Sequence, residues 1–218
     1  MTKNKVVIAV DGPAASGKGS LSRRLSKDYN LAHMDSGKLY RATALIIIEN
    51  NINPEEKNKV EQYIKDIDFD DFIFENKKLL SDEIGKTASI IANYKNLRDY
   101  LLKIQRDFAY VKNNDKLGVV IDGRDIGTVV LPEANIKFFI TASLDVRITR
   151  RWKELLSLGY DIIKRHVEQE MIERDERDSH RTHSPLFAAP DAILLDTTKL
   201  KFDQVYVLAK KYVEVFLS

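Results

Sequence analysis

The stretch GPAASGKGS, Gly12 to Ser20, sets one lysine among three glycines at spacings that suit a phosphate. Gly12, Gly17 and Lys18 fit the pattern G-x-x-x-x-G-K-[ST]. Gly19 stands where Ser or Thr is usual, and Ser20 follows. Such a loop, with Pro13, Ala14, Ala15 and Ser16 completing it, turns backbone N–H groups toward an anion and places a helix N-terminus behind it. Lys18 would reach the β- and γ-phosphates as a point charge, and Ser20 would face Mg²⁺. A Gly-rich connection with no ligand is the plain alternative. The apolar run VVIAV before the loop and the helical pattern after it supply the strand–turn–helix setting that the chemistry needs.

A phosphate donor site alone leaves the acceptor open. Three stretches concentrate arginine. DSGKLYR puts Asp35, Ser36, Tyr40 and Arg41 at the start of a helix, where the N-terminus and a guanidinium fork suit a second phosphate. An ordinary helix cap would also explain it. VVIDGRDIGTVV ends an apolar strand in Asp122, Arg124 and Asp125, at the edge where open α/β sheets bind ligands. An Arg–Asp pair closing a turn is the competing reading. In ERDERDSHR, Arg174, Asp178 and Arg181 fall within about 60° on one helix face. Taken alone, a solvated charged helix explains that run as well. A switch GTPase would need N-K-x-D late in the chain, whereas Asn58-Lys59-Val60-Glu61 sits early and ends in Glu.

The elements that must hold these residues alternate. Strands are expected at 6–10, 31–35, 119–122, 136–141 and 192–197. Helices are expected over 17–29, over 36–50 with Ser36 as cap, over 144–158, from about 161 to 178, and over 202–216. Between about 51 and 115 the texture changes: the acidic DIDFDDFIFEN and a turn near Asn76 suggest a helix and a hairpin. A helix carrying Ile90, Ile91, Leu97, Leu101, Ile104 and Phe108 follows. The pattern is α/β, a central parallel sheet in a three-layer α/β/α arrangement, with 51–114 inserted into a core of 1–50 and 115–218.

Composition narrows the partners. The 218 residues carry 35 basic and 33 acidic side chains, a net charge of +2, so no global field favours nucleic acid or a membrane. Cysteine is absent and only four histidines occur, which argues against disulfides and zinc. The apolar runs are too short for a signal peptide or a span. A cytoplasmic monomer is expected.

Taken together, GPAASGKGS, DSGKLYR, the QRDFA helix end, DGRDIGTVV, and ERDERDSHR followed by SPL resemble the cytidylate kinases over almost the whole chain. The GKG[ST] loop form is itself common among nucleoside monophosphate kinases. The resemblance implies a P-loop kinase fold with a monophosphate-binding insertion and a short lid near 155–165. It implies transfer of phosphate from ATP, with Mg²⁺, to CMP or dCMP. Gly12 to Ser20 would hold ATP, and Ser36, Arg41 and Arg124 the acceptor phosphate. Asp125 would stand beside the acceptor sugar and its arginines. Ser89, Arg98, Asp178 and Arg181 would read the cytosine edge, and Arg174 with Asp178 the ribose. Arg150 and Arg151 would close over ATP. Lys18, Arg41, Arg124, Asp125, Arg150 and Arg151 form the implied catalytic set. FIFENKKLLSDEIGKTAS departs from the family in being short, which leaves a compressed hairpin before Ser89. Two other readings stay open: a different small acceptor such as shikimate, and a regulatory ATPase with Asp122 orienting water.

Overall fold

Alternate residues of the first strand, β1 (Val6–Asp11), feed two different cores, which places it at the centre of a sheet covered on both faces. The computed structural model describes residues 5–64, 67, 69, 71–113 and 115–217. Val6, Ile8 and Val10 pack with Leu21 and Leu25 of α1 (Lys18–Tyr29) and with Val205, Ala209 and Val213 of α8 (Phe202–Leu217). Val7 and Ala9 face the other way, onto Ala109, Val130 and Leu131. A run this apolar on both sides is what a buried parallel strand requires.

The five strands are parallel in the order β2 (Leu31–Asp35), β3 (Gly118–Gly123), β1, β4 (Ile136–Thr141), β5 (Ile193–Asp196). Chain order reverses beside β1, so the turn after it opens into the crevice at the strand C-termini. Helix α2 (Ser36–Glu49) leaves β2 at that same edge. The chain then runs through α3 (Lys57–Tyr63), α4 (Asp82–Ile91) and α5 (Lys95–Tyr110), and returns to β3. These helices share a separate core with α2, built on Leu45, Ile47, Val60, Ile84, Ile91, Leu97 and Leu101. Helices α6 (Leu144–Ser157) and α7 (Lys164–His180) pack together through Ile148, Leu155, Val167 and Met171.

The insertion differs from the sequence expectation in two ways. No hairpin forms among its described residues. Two short 3₁₀ helices, Asp71–Glu75 and Lys77–Leu80, stand there, and Asn76 caps the second by accepting from Lys78 N–H. Residues 65, 66, 68 and 70 of the acidic region lie outside the described residues. The single helix expected across 90–108 is broken after Ile91. The Asn93 amide donates to the carbonyls of Ser89 and Ile90, competing with the turns that would continue it. Asp35, not Ser36, caps α2, accepting from Lys38 N–H at 3.3 Å, and Ser36 is the first helical residue. Among the described residues, no helix is long and apolar enough to cross a membrane.

Candidate active site

The loop after β1 has a backbone that few residue types could follow. A Cβ at Gly12 would lie 2.0 Å from the Ile140 carbonyl oxygen on β4, and Gly17, at φ 101°, occupies the left-handed region just before α1. Lys18 folds back so that Nζ donates to the Pro13 carbonyl at 3.1 Å. Helix α6 grips the loop from behind. Arg150 donates to the carbonyls of Ala15 and Ser16 and to Thr197, while Arg147 binds the Ala142 and Ala14 carbonyls and pairs with Asp175 of α7 at 2.7 Å.

Asp11, the last residue of β1, is almost fully buried and accepts from the N–H groups of Ile126 (2.8 Å) and Gly127 (2.7 Å). Those residues open a single π-helical turn, Ile126–Val130, directly after Arg124 and Asp125. One carboxylate therefore ties the phosphate loop's strand to the DGRD turn. Burial pushes the Asp11 carboxyl up to about 6, against the two N–H bonds that lower it. A carboxylate with a raised folded value favours the folded state most when protonated, so its contribution is lost as pH rises through about 6. Relative to Asp11→Asn, wild-type stability should gain roughly 2 kcal/mol on going from pH 7 to pH 4. Denaturant titrations of both proteins across that range check it, and parallel curves would contradict it.

In and around the loop, burial and neighbouring positive charges lower four cations. Burial, then the Arg124 charge, pushes Lys18 down to about 7. Burial and Arg151 push Arg41 down to about 10; burial, Arg124 and Arg41 push Arg174 down to about 9. Burial and Arg98 lower Arg181. Arg174 Nε and one Nη of Arg181 are buried without a hydrogen-bond partner among the described residues. Unsatisfied, mutually repelling cations are what a site for a polyanionic ligand looks like before the ligand supplies the counter-charge. Arg41 and Arg174 line a cleft of about 670 Å³ together with Arg151 and Arg177. A smaller hollow beside it is lined by Ser36, Tyr40, Ser89, Asp125, Asp178 and Arg181, among others.

Within that hollow the carboxylates divide the arginines. Asp125 accepts from Arg98 Nη2 at 2.5 Å and lies 3.8 Å from Arg181. Asp178 accepts from Arg124 Nε at 2.8 Å and lies 4.0 Å from Arg174. Asp178 is held below the usual carboxylate range: burial opposes this, and the charges of Arg124 and Arg174 prevail.

The family model for cytidylate kinase matches residues 8–214. The chain belongs to the cytidylate kinase family. The cytidylate kinase of Rhodospirillum rubrum is 42% identical over 204 residues, spanning 94% of this chain and 95% of that protein. That of Xanthobacter autotrophicus is 43% identical over 209 residues, spanning 96% and 97%. A solved structure, an uncharacterized protein from Eubacterium ventriosum, covers 97% of this chain and 99% of its own at TM-score 0.56 and 14% identity, a likeness of fold alone.

In this chain the structure gathers Ser36, Arg41, Ser89, Arg124, Asp125, Arg174, Asp178 and Arg181 around one hollow, with Arg98 behind Asp125. It does not bring Arg150 there: that guanidinium spends its donors on loop carbonyls and Thr197. Nor does it join Asp178 to Arg98; Asp125 takes that position. Arg147 joins the site as an addition, and Tyr40 and Arg177, which the sequence placed beside it without a role, gain one. Tyr40 lies against Arg98 with the guanidinium 5.7 Å from its ring centroid, and burial pushes its hydroxyl up to about 12. Arg177 donates to the Ser89 hydroxyl at 3.0 Å. Arg147 carried one legible signal, its place a helical turn before Arg150 and Arg151.

Proposed function

We propose that this protein transfers the γ-phosphoryl group of ATP directly to a phosphate oxygen of CMP or dCMP. The γ-phosphorus loses its bond to the bridging oxygen of ADP as it gains one to the acceptor oxygen, giving CDP or dCDP. The acceptor phosphate is already ionised near pH 7, so no strong base is required, and catalysis rests on alignment and charge. The observation that carries this reading is the joining of two sites: the glycine loop, which meets the cleft at Ala14, and Arg41 and Arg174, which line the same cleft and also the hollow that holds Arg124 and runs into a buried Arg98–Asp125–Arg181 group.

Cytosine offers an N4 amino group beside the N3 and O2 acceptors. Asp125 is the carboxylate best placed to accept from N4, with Ser89, Arg98 and Arg181 as donors. Asp178, tied to Arg124 and Arg174, serves the ribose and phosphate side. Gly12 to Ser20 hold the ATP phosphates. Ser36, first in α2, and Arg41, one turn on, hold the CMP phosphate. Arg150 fixes the shape of the loop, and Arg151 faces the cleft.

Mg²⁺ enters with ATP. Such sites take few protein oxygens beside phosphates and waters. The exposed Ser20 hydroxyl fits that set, as does the Asp122 carboxylate, one oxygen of which lies 3.6 Å from a Cβ placed on Gly19. When bound, the ion would neutralise charge on the β- and γ-phosphate oxygens. Residues 51–114 form the acceptor-side insertion and 155–165 the lid, whose closure would exclude water. We place the enzyme in the cytoplasm, a reducing compartment that a chain without cysteine suits, and expect it to act as a monomer.

Calorimetric titration of the ATP-free protein with CMP and UMP tests the acceptor site. CMP should bind at least about 10²-fold more tightly, because the uracil carbonyl would oppose a carboxylate. Equal affinities would contradict this assignment of the base-reading residues.

A further inference from the structure

Two of the arginines given roles above are held by one short piece of the insertion. Arg41 Nη1 donates to the carbonyls of Leu79 (2.5 Å) and Ser81 (3.2 Å). Arg151, coming from α6 on the other side of the cleft, donates through Nη2 to the Leu80 carbonyl (3.0 Å) and to Asp82 Oδ1 (2.8 Å). Its Nη1 pairs with Glu154 on its own helix at 3.0 Å. Three consecutive carbonyls and one carboxylate thus address two guanidinium groups. They can do so because the chain turns sharply there: the 3₁₀ helix ends at Leu80, Ser81 caps α4 by accepting from Ile84 N–H, and Asp82 opens the helix. Gly85, one turn on, leaves the room that Arg41 fills, since a Cβ there would stand 2.9 Å from Arg41 Nη2.

The contacts leave part of each guanidinium unengaged. Arg41 Nε and Nη2 have no hydrogen-bond partner among the described residues, and neither does Arg151 Nε, so part of each guanidinium stays available to the cleft. Glu170 of α7 also faces Asp82, and burial with the Asp82 charge pushes its carboxyl up. Asp82 therefore sits where the insertion, α6 and α7 meet.

We propose that residues 79–82 form a clasp that sets Arg41 and Arg151 for phosphoryl transfer, with Asp82 a positioning residue that acts through Arg151. This rests on the kinase reading above and adds a residue to it. Asp82 touches no reacting atom. It fixes the direction of a guanidinium whose misplacement by about 1 Å can cost a hundredfold in rate. The plainer account is that an acid in the first turn of α4 merely favours the helix dipole, and the two make different predictions.

The test is a double-mutant cycle of Asp82→Ala with Arg151→Ala, with Asp82→Glu alongside, reading kcat, KM for CMP, KM for ATP and melting temperature. Asp82→Ala should lower kcat by roughly 10- to 100-fold, with KM for CMP and melting temperature little changed. Asp82→Glu should recover most of the rate. In the Arg151→Ala background, adding Asp82→Ala should change kcat less than twofold. An equal loss in both backgrounds, or an Asp82→Ala enzyme with wild-type kcat, would overturn the proposal. Lack of CMP turnover by the wild-type protein in the same assay would instead overturn the kinase reading, and this inference with it.

Discussion

Arg124→Ala should lower CMP turnover by about 10³-fold or more, the scale on which a charge-stabilising arginine acts in phosphoryl transfer. Arg124 leaves β3 at its C-terminal end, is bound through Nε to Asp178 and through Nη1 to the Gly123 carbonyl, and so has little freedom to wander. Burial works to discharge it, but the Asp178 charge and hydrogen bond keep it protonated, and its own charge is felt at Lys18 of the phosphate loop. It thus lies within electrostatic reach of both the donor loop and the acceptor cradle. The substitution also strips Asp178 of its 2.8 Å partner, so melting temperature should be followed beside kcat. A folded Arg124→Ala protein that turns over CMP within a few-fold of wild type would remove Arg124 from the mechanism.

Asp125 should show the second large effect, and it divides by substitution. Asp125→Ala leaves Arg98 and Arg181 buried without their shared carboxylate, and the loss should be about 3–5 kcal/mol of stability. Asp125→Asn keeps the volume and one acceptor oxygen but turns a pure acceptor into a group that also donates. The amide can give to the uracil O4, where the carboxylate could only repel it. Asp125→Asn should therefore narrow the ratio of CMP to UMP turnover by about 10²-fold. Denaturant unfolding checks the first expectation and paired acceptor kinetics the second. An unchanged CMP/UMP ratio in Asp125→Asn would return base reading to Asp178.

The contrast between Asp125 and Asp178 shows where a sequence stops informing. Strands and the phosphate loop were legible because their signals are local: VVIAV is apolar at every position, and Gly12, Gly17 and Lys18 follow it at the spacing of a phosphate loop. Arg174 and Asp178 could be grouped from helical spacing alone, while Arg181 caps the end of α7 in an extended conformation. Their partners could not, since Arg98 lies 27 positions from Asp125 and Arg124 lies 54 from Asp178. Only the packing of α5 and α7 on the DGRD turn decides which carboxylate meets which guanidinium. Arg150 and Arg151 make the same point at short range. Adjacent residues on a helix point about 100° apart, so one supports the loop while the other crosses to Asp82. In the insertion, Asn76 signalled a turn, but its side-chain cap favoured 3₁₀ turns over a hairpin. Asp82 itself carried no signal, being one more acid at a helix start.

The most direct measurement is ADP release from ATP and Mg²⁺ in the presence of CMP, dCMP, UMP, AMP or GMP, and with no acceptor. Rapid release with CMP and dCMP, and little with the other three or with none, is the predicted result. Equal release under every condition would make the protein an ATPase and would contradict the acceptor site.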